Sequence, residues 1–187
     1  MKREVWYLVV VRDRHGQIVS RERRKARSFL KAWNQMASVQ MSQNSRTITD
    51  IGGTARSVAR NGFSFRMAVG AGITNHGIVI GTGDTAVTIN DYALAALIAH
   101  GAGGGQMNYQ ACSVALSQVS APNCDYIVSR SVVNNSGVLI TVKESGIYIR
   151  VGPVPYYACG LRDVFGTPQD VPNGGSITVN YTLRVTA

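Results

Sequence analysis

The chain contains three cysteines and three histidines, the residue types from which a thiol nucleophile and its base are built. They are Cys112, Cys124, Cys159, His15, His76 and His100. A Cys–His site needs the base within hydrogen-bond reach of the thiol, and no local motif brings any pair together. Cys112 and Cys159 lie in apolar, strand-like segments, where a buried, unreactive thiol is the usual finding. The zinc-ligand spacings are also absent, so a cysteine-dependent hydrolase is only the last of the alternatives.

Two glycine-rich segments, Gly81–Gly83 and His100–Gly105, resemble phosphate-binding loops in glycine content alone. A phosphate loop continues into GK[ST] or belongs to a strand–loop–helix unit with a ribose-binding acid, and neither segment does. We expect turns, or places where backbones approach closely.

The carboxylates do not form an obvious pair for acid–base chemistry. Asp91, Asp125 and Glu144 are scattered along the chain. Asp91 precedes a short apolar segment that begins at Tyr92, and we expect its side-chain oxygen to cap that segment. These residues therefore indicate structural roles, and no cofactor or metal is expected.

Positive charge is concentrated near the amino end. Residues 1–31 hold ten Lys or Arg and three acids, whereas the other 156 residues hold nine and seven. Such a run favours an acidic protein partner, although DNA phosphate or plain solvent are alternatives. The run itself lacks aromatic residues for base stacking. The candidate docking residues are Arg21, Arg23, Arg24, Lys25, Arg27 and Lys31.

The elements that carry this charge are predicted to be a β-hairpin and one helix. Glu4–Arg12 reads as a strand, Asp13–Gly16 as a turn and Gln17–Arg24 as the returning strand. Ser28–Met41 has helical periodicity, with Ser28 as a candidate N-cap. The first strand is apolar on both faces, so it could complete a neighbouring sheet. Its candidate interface residues are Val5, Tyr7, Val9 and Val11.

The rest of the chain alternates short apolar runs with turn residues about every 8–12 positions, which is typical of a β-sandwich or jelly roll. We therefore predict a mainly β, antiparallel fold, with a basic hairpin-plus-helix module at residues 1–45 and a β body at 46–187. Gly77–Gly81 is predicted to be a buried strand, and Tyr92–His100 one or two helical turns. In Met107–Val119 we expect the alternate set with more apolar bulk to face the core. That set is Gln110, Cys112, Val114, Leu116 and Gln118.

Length and composition fit a single β domain, or one domain with an appendage. The chain has 187 residues, 20 glycines and only 16% charged residues, a balance that suits tight turns and a surface covered by neighbours. An odd, sparse set of cysteines is usual in a reducing cytosol. The apolar start is too short for a signal peptide, and no stretch is long enough for a membrane helix.

One block of sequence resembles a known class of proteins. GTGDTAVTINDYAL at residues 81–94 is followed by SRSVVNNSGVLITVKESGIYIRV and by LRDVFGTPQDVPNGGSITVNYTLRVTA, both within residues 129–187. Over roughly the last 110 residues, the chain resembles uncharacterised virion structural proteins of tailed bacteriophages.

The resemblance implies a non-enzymatic structural subunit, present in many copies in the tail or the head–tail connection. A head decoration protein on the capsid lattice is the alternative, and a DNA-binding module that uses the basic run is a further one. The implied partners are copies of the chain and virion proteins with acidic surfaces, with possible phosphate contact and no membrane. The implied location is the virion, assembled in the host cytoplasm.

Overall fold

The computed structural model describes residues 2–26, 29–42, 45–58, 65–152 and 156–186. These residues form a mainly β protein with antiparallel sheets, an amino-terminal hairpin and one helix, which confirms the predicted fold class. The elements are β1 Lys2–Arg12, β2 Ile18–Ala26, α1 Lys31–Ser42, β3 Arg46–Thr49, β4 Ala55–Val58, β5 Gly77–Gly81, β6 Asn108–Val114, β7 Gln118–Ser120, β8 Asn123–Val133, β9 Ile140–Val151, β10 Tyr156–Val171 and β11 Ser176–Thr186.

The larger sheet has the strand order β2-β1-β11-β8-β6, and the short β7 pairs with the first residues of β8. β1 lies between β2 and β11, in register with β11 from Lys2–Thr186 to Arg12–Ser176. Because side chains alternate between the two faces of a strand, one face of this sheet is apolar. Val9 and Val179, for example, are directly opposite each other and fully buried.

A second sheet, β10-β9-β5, packs on that apolar face and completes a β-sandwich-like core. Ser145 of β9 and Tyr181 of β11 share a hydrogen bond of 2.7 Å between their hydroxyl oxygens. The rings of Tyr7 and Phe165 also meet across the two layers, with centroids 5.6 Å apart. The core between the two sheets is therefore mainly apolar, with the hydrogen-bonded Ser145–Tyr181 pair inside it.

The opposite face of the second sheet is covered by a long connection, residues 82–107, which we call the strap. Its backbone bonds to β5 through Ile98 N to Ile80 O (3.0 Å), and Thr82 N donates to Ala96 O (2.9 Å) within the strap. Helix α1 lies beside the strap, with Met36 buried. The small β3-β4 sheet contacts α1 in turn.

Several predicted elements are confirmed. The hairpin turns at residues 13–16, where Gly16 has a φ of 79°. The helix begins at Lys31, and its predicted cap, Ser28, lies outside the described residues. The Gly77–Gly81 strand is buried throughout.

Two predictions about local structure are wrong. Residues 92–100 form no helical turn; they run irregularly over the sheet, with a bridge from Leu97 to Gly81. The alternation predicted for Met107–Val119 also fails, because Gln110, Val114, Leu116 and Gln118 are exposed.

The interface strand is a further correction. Val5, Tyr7, Val9 and Val11 are at most 2% exposed, because all four side chains point into the core of their own chain. From Val5 to Arg12, β1 is also paired along both edges, so this stretch has no free edge to offer a neighbouring sheet. The boundary near residue 45 stays a prediction, but the hairpin shares a sheet with β8 and β11 of the body.

Candidate functional site

The most highly charged buried region surrounds Arg162 of β10, which is 2% exposed. Its Nε donates to Glu144 Oε2 at 2.8 Å and its Nη1 to Asp91 Oδ2 at 2.7 Å. Its Nη2 donates to the carbonyl and hydroxyl oxygens of Thr85, at 3.0 and 3.1 Å. Glu144 belongs to β9, whereas Asp91 and Thr85 belong to the strap. We call these four residues the arginine clamp, because they tie the strap to the sheet.

Glu144 binds two separate parts of the strap, one at Gly83 and one at Ala95 and Ala96. Its Oε1 accepts hydrogen bonds from Ala96 N at 2.8 Å and from Gly83 N at 3.2 Å, and its Oε2 accepts one from Ala95 N at 3.2 Å. The carboxylate is fully buried. A buried charge needs both a counter-charge and hydrogen bonds, and Glu144 receives both.

The clamp keeps its other groups charged. Burial alone would raise the pKa of Asp91, but the hydrogen bonds from Thr88 and Arg162 and the guanidinium charge hold that pKa below its usual value. Burial would likewise lower the pKa of Arg162, but bonding to Glu144 and Asp91 raises it. Asp91 does not cap a helix as predicted; it accepts from Thr88 N and Oγ1 in a turn.

The glycines that look like a phosphate loop are required by the clamp. A Cβ at Gly81 would lie 2.5 Å from the carbonyl oxygen of Ala96, and one at Gly83 would lie 2.5 Å from Glu144 Oε1. Both distances are far shorter than a carbon–oxygen contact allows. The glycine content therefore reflects close approach within the chain.

A cavity of about 370 Å³ lies beside the clamp. Several of its polar groups are already in use: Asp91 pairs with Arg162, and Asn90 Oδ1 accepts from Lys31 Nζ at 3.0 Å. Asp91 is the one carboxylate among these lining side chains, and the guanidinium of Arg162 neutralises it. The arrangement therefore supports a structural role, in which the strap is held to the sheet. The lining residues are Thr85, Thr88, Asn90, Asp91, Tyr92, Ala93, Leu94, Ala95 and Arg162.

The cysteines are free, and two of them, Cys112 and Cys159, are buried as predicted. Burial raises the pKa of both thiols, which keeps them protonated and poorly nucleophilic. Cys112 Sγ accepts from Ile78 N, and Cys159 Sγ donates to Leu161 O. No histidine is among the hydrogen-bond partners that the described residues give to these two thiols.

A second buried arginine was missed by sequence reasoning. Arg130 of β8 is 1% exposed and donates to three backbone carbonyls, of Gln110 at 2.7 Å, Ile78 at 2.9 Å and Ile73 at 2.6 Å. Its guanidinium carbon lies 4.8 Å from the centroid of the Tyr109 ring. Burial lowers its pKa. Its burial could have been predicted from the alternation of β8, because Arg130 lies on the same face of the strand as the apolar residues Val128 and Val132.

The structure divides the predicted basic run by strand alternation. On β2, Arg21, Arg23 and Lys25 share the outer face of the larger sheet and are exposed. Lys25 pairs with Glu4 at 2.7 Å, and the guanidinium of Arg23 lies over the Trp6 ring at 5.4 Å. No carboxylate of the described residues forms an ion pair with Arg21 or Arg23.

The other predicted docking residues are used within the chain or are not described. Arg24 points to the opposite side of β2, where it pairs with Glu22 at 2.7 Å and packs over Gly166. Lys31 is bonded to Asn90, as noted above. Arg27 lies outside the described residues. Of the predicted run, Arg21, Arg23 and Lys25 therefore form one exposed cationic face, which we call the basic edge, although Lys25 already pairs with Glu4.

Comparison with protein-family models, with curated proteins and with solved structures gave no match. In the part of the chain that the structure describes, no helix is long and apolar enough to cross a membrane. The same residues bring together no group of three or more His, Cys, Asp or Glu side chains that could hold a metal ion.

Proposed function

We propose that the chain is a non-enzymatic structural subunit of a tailed-phage virion, assembled in multiple copies in the tail or the head–tail connection. The resemblance of residues 81–94 and 129–187 to virion proteins supports the class. Within it, the chain would act by burying surface against neighbours, with its basic edge placed on an acidic partner. A head decoration protein is the alternative within the same class.

The observation that carries the proposal is the position of the basic edge. Arg21, Arg23 and Lys25 lie on β2, which is an outermost strand of the larger sheet. The inward side chains of β2 are used by the chain itself, since Glu22 accepts hydrogen bonds from Tyr7, Gly166 and Gln169. The outward cations Arg21 and Arg23 form no ion pair with a described carboxylate, and charge complementarity at such a surface steers and selects a partner.

Charge reversal at the basic edge tests the proposal. We expect Arg21→Glu combined with Arg23→Glu to reduce incorporation into phage particles at least tenfold, because two attractive contacts become repulsive. Unfolding of the β core is not expected, since both side chains are exposed. Incorporation is measured by quantitative mass spectrometry of purified particles that are assembled in cells supplying only the variant chain.

The matched control is Arg14→Glu combined with Arg46→Glu. Both residues are exposed, and the net charge changes by the same amount. The control should enter particles like the unaltered chain. If the basic-edge variant also enters normally while remaining folded, docking through this edge is refuted.

Binding to DNA is the alternative that the same cations allow. Retention on DNA through phosphate contacts falls steeply as salt rises. On a duplex DNA column at low salt, we expect the basic-edge variant and the control variant to be retained to the same extent. Weaker retention of the basic-edge variant would favour the DNA-binding module over an acidic protein partner.

A further inference from the structure

The edge of the larger sheet opposite the basic edge is apolar and uncharged. Residues 113–122 are all exposed, and they include Leu116 at 85% and Val119 at 80%. No charged residue occurs anywhere in residues 101–124. We call residues 113–122 the neutral edge. Exposed apolar side chains on a sheet edge are a feature that single-copy proteins usually avoid.

The backbone of the neutral edge is available for pairing. Further back along β6, the outer side is closed by residues 69–72, through Gly72 N to Tyr109 O (2.9 Å) and paired bonds between Val69 and Cys112. β7 pairs with β8 on one side, and no other described strand pairs with its outer side. An antiparallel strand could therefore add to this edge with full backbone hydrogen bonding.

The neutral edge continues into an apolar groove of about 270 Å³. Val119 lies directly opposite Cys124, which lines that groove at the end of the sandwich. A standard interface uses about 20–30 residues on each side. The edge and the groove together approach that number, with ten residues in the edge and eight in the groove. The groove residues are Glu4, Phe29, Trp33, Cys124, Tyr126, Leu183, Arg184 and Val185.

We propose that the neutral edge is the self-association surface of this chain, where β7 of one copy pairs antiparallel with β7 of a second copy about a two-fold axis. Charge decides the occupant. The chain carries a net charge of +9, so two copies meet with the least repulsion where charged side chains are missing. An acidic partner would gain nothing here, whereas a two-fold contact places Leu116 and Val119 of both copies together.

This inference rests on the proposed assembly role, because it names the surface through which copies of the chain meet. Pairing through β2 instead would set the basic edges of two copies against each other, and directly opposed like charges are destabilising. The neutral edge therefore provides the contact between copies, and the basic edge stays free for a different partner.

Lysine substitution tests the proposal. Leu116→Lys combined with Val119→Lys should raise the dissociation constant of the purified dimer at least tenfold, as measured by sedimentation velocity over a concentration series. The matched control is Val138→Lys combined with Leu139→Lys. These two residues lie in the β8–β9 connection and are 55% and 56% exposed. Both double variants replace one Leu and one Val by Lys, so the residue types and the change in charge are the same. The control should associate like the unaltered chain.

A cross-linking experiment provides the second readout, which does not depend on how the lysine variant folds. In a Cys124→Ser background, Val119→Cys should form an intermolecular disulfide, because a two-fold pairing centred on β7 brings the two positions within bridging distance. Leu139→Cys in the same background should stay monomeric on a non-reducing gel.

The possible outcomes separate this inference from the proposed function. The inference is overturned if the unaltered chain is monomeric at its highest soluble concentration. It is also overturned if a dimer forms but lysine substitution at the neutral edge does not weaken it and residue 119 does not cross-link. Either result leaves incorporation into particles to be decided by the basic-edge variant. Absence of the unaltered chain from purified particles, while the dimer forms, would refute the proposed function and retain the self-association surface.

Discussion

At the scale of single residues, the two buried arginines are stabilised by different means. Arg162 is neutralised by two carboxylates, whereas Arg130 meets only backbone carbonyls and the face of a tyrosine ring. Each one joins an irregular segment to a sheet, because Arg162 reaches the strap and Arg130 reaches Ile73. The five donors of a guanidinium in a fixed geometry suit this task. Both residues are therefore structural fastenings for segments that have little regular secondary structure.

His76 predicts a pH dependence of stability. Burial, together with the charges of Arg66, Arg150 and Arg130, lowers its pKa from 6.5 to about 4. Below pH 6.5 this imidazole binds a proton in the unfolded chain, whereas in the folded chain it stays neutral down to about pH 4. The free energy of unfolding should therefore fall as pH drops from 6.5 towards 4. Urea denaturation at several pH values measures this slope.

Replacing the imidazole isolates its contribution. His76→Gln should be less stable near pH 7, because it loses the imidazole ring that stacks on Tyr157 with centroids 5.7 Å apart, but its slope between pH 6.5 and 4.5 should be shallower. His15→Gln, at the exposed hairpin turn, should follow the unaltered chain. An identical slope for the His76 and His15 variants would contradict the buried, neutral histidine.

At the scale of elements, the strap is the least regular part of the described chain and depends most on polar contacts. Three of its backbone N–H groups end on a single carboxylate, that of Glu144. Tyr148 of the same strand accepts a further bond from Leu94 N at 2.8 Å. The sheet therefore supplies the hydrogen bonds that a loop without secondary structure cannot supply itself.

Glu144→Gln tests this dependence. The substitution removes the negative charge beside a buried guanidinium, so we expect a loss of about 3 kcal/mol in the free energy of unfolding. Amide exchange at Gly83, Ala95 and Ala96 should accelerate before that of β11. Both quantities follow from urea denaturation and hydrogen-exchange mass spectrometry.

Asp84→Asn is the control for the strap experiment. It breaks the exposed ion pair between Asp84 and Lys143, whose charged atoms are 2.7 Å apart. Lys143 is the residue before Glu144 in the sequence, so the control probes the same strand. Exposed ion pairs contribute little, so neither stability nor exchange should change measurably. Equal effects of the two substitutions would show that the clamp is not what holds the strap.

Strand alternation predicted the fold well where strands are regular. In β1 every second residue from Val5 to Val11 is buried, and β2, although mostly exposed, alternates in the same way, which divides its cations between two faces. The prediction is wrong in β6, where Tyr109 and Cys112 are both buried because the register shifts between them. Leu116, which was expected in the core, lies beyond the end of β6 and is 85% exposed.

The clamp could not be predicted because its members come from three distant segments. Asp91, Glu144 and Arg162 are separated by 53 and 18 positions, and no period connects them. What the sequence did contain was a charged residue at a buried position of a strand, and such a residue needs a partner. The identity of that partner depends on the path of the strap, which no local pattern determines.

At the scale of the whole molecule, the larger sheet has two unlike edges. The basic edge lies on β2, and the neutral edge lies on β6 and β7 at the other end of the strand order. A sheet with unlike edges can bind a copy of itself at one edge and a different protein at the other. This polarity suits a subunit that links copies within a particle to a second component.

Quantification of this chain in purified phage particles tests the central claim most directly. Mass spectrometry with isotope-labelled peptides should find several copies per particle, in a fixed ratio to the other virion proteins. Surface labelling should find Arg21 and Arg23 less reactive in the particle than in the free protein. Complete absence of the chain from particles freed of cell debris would contradict the account.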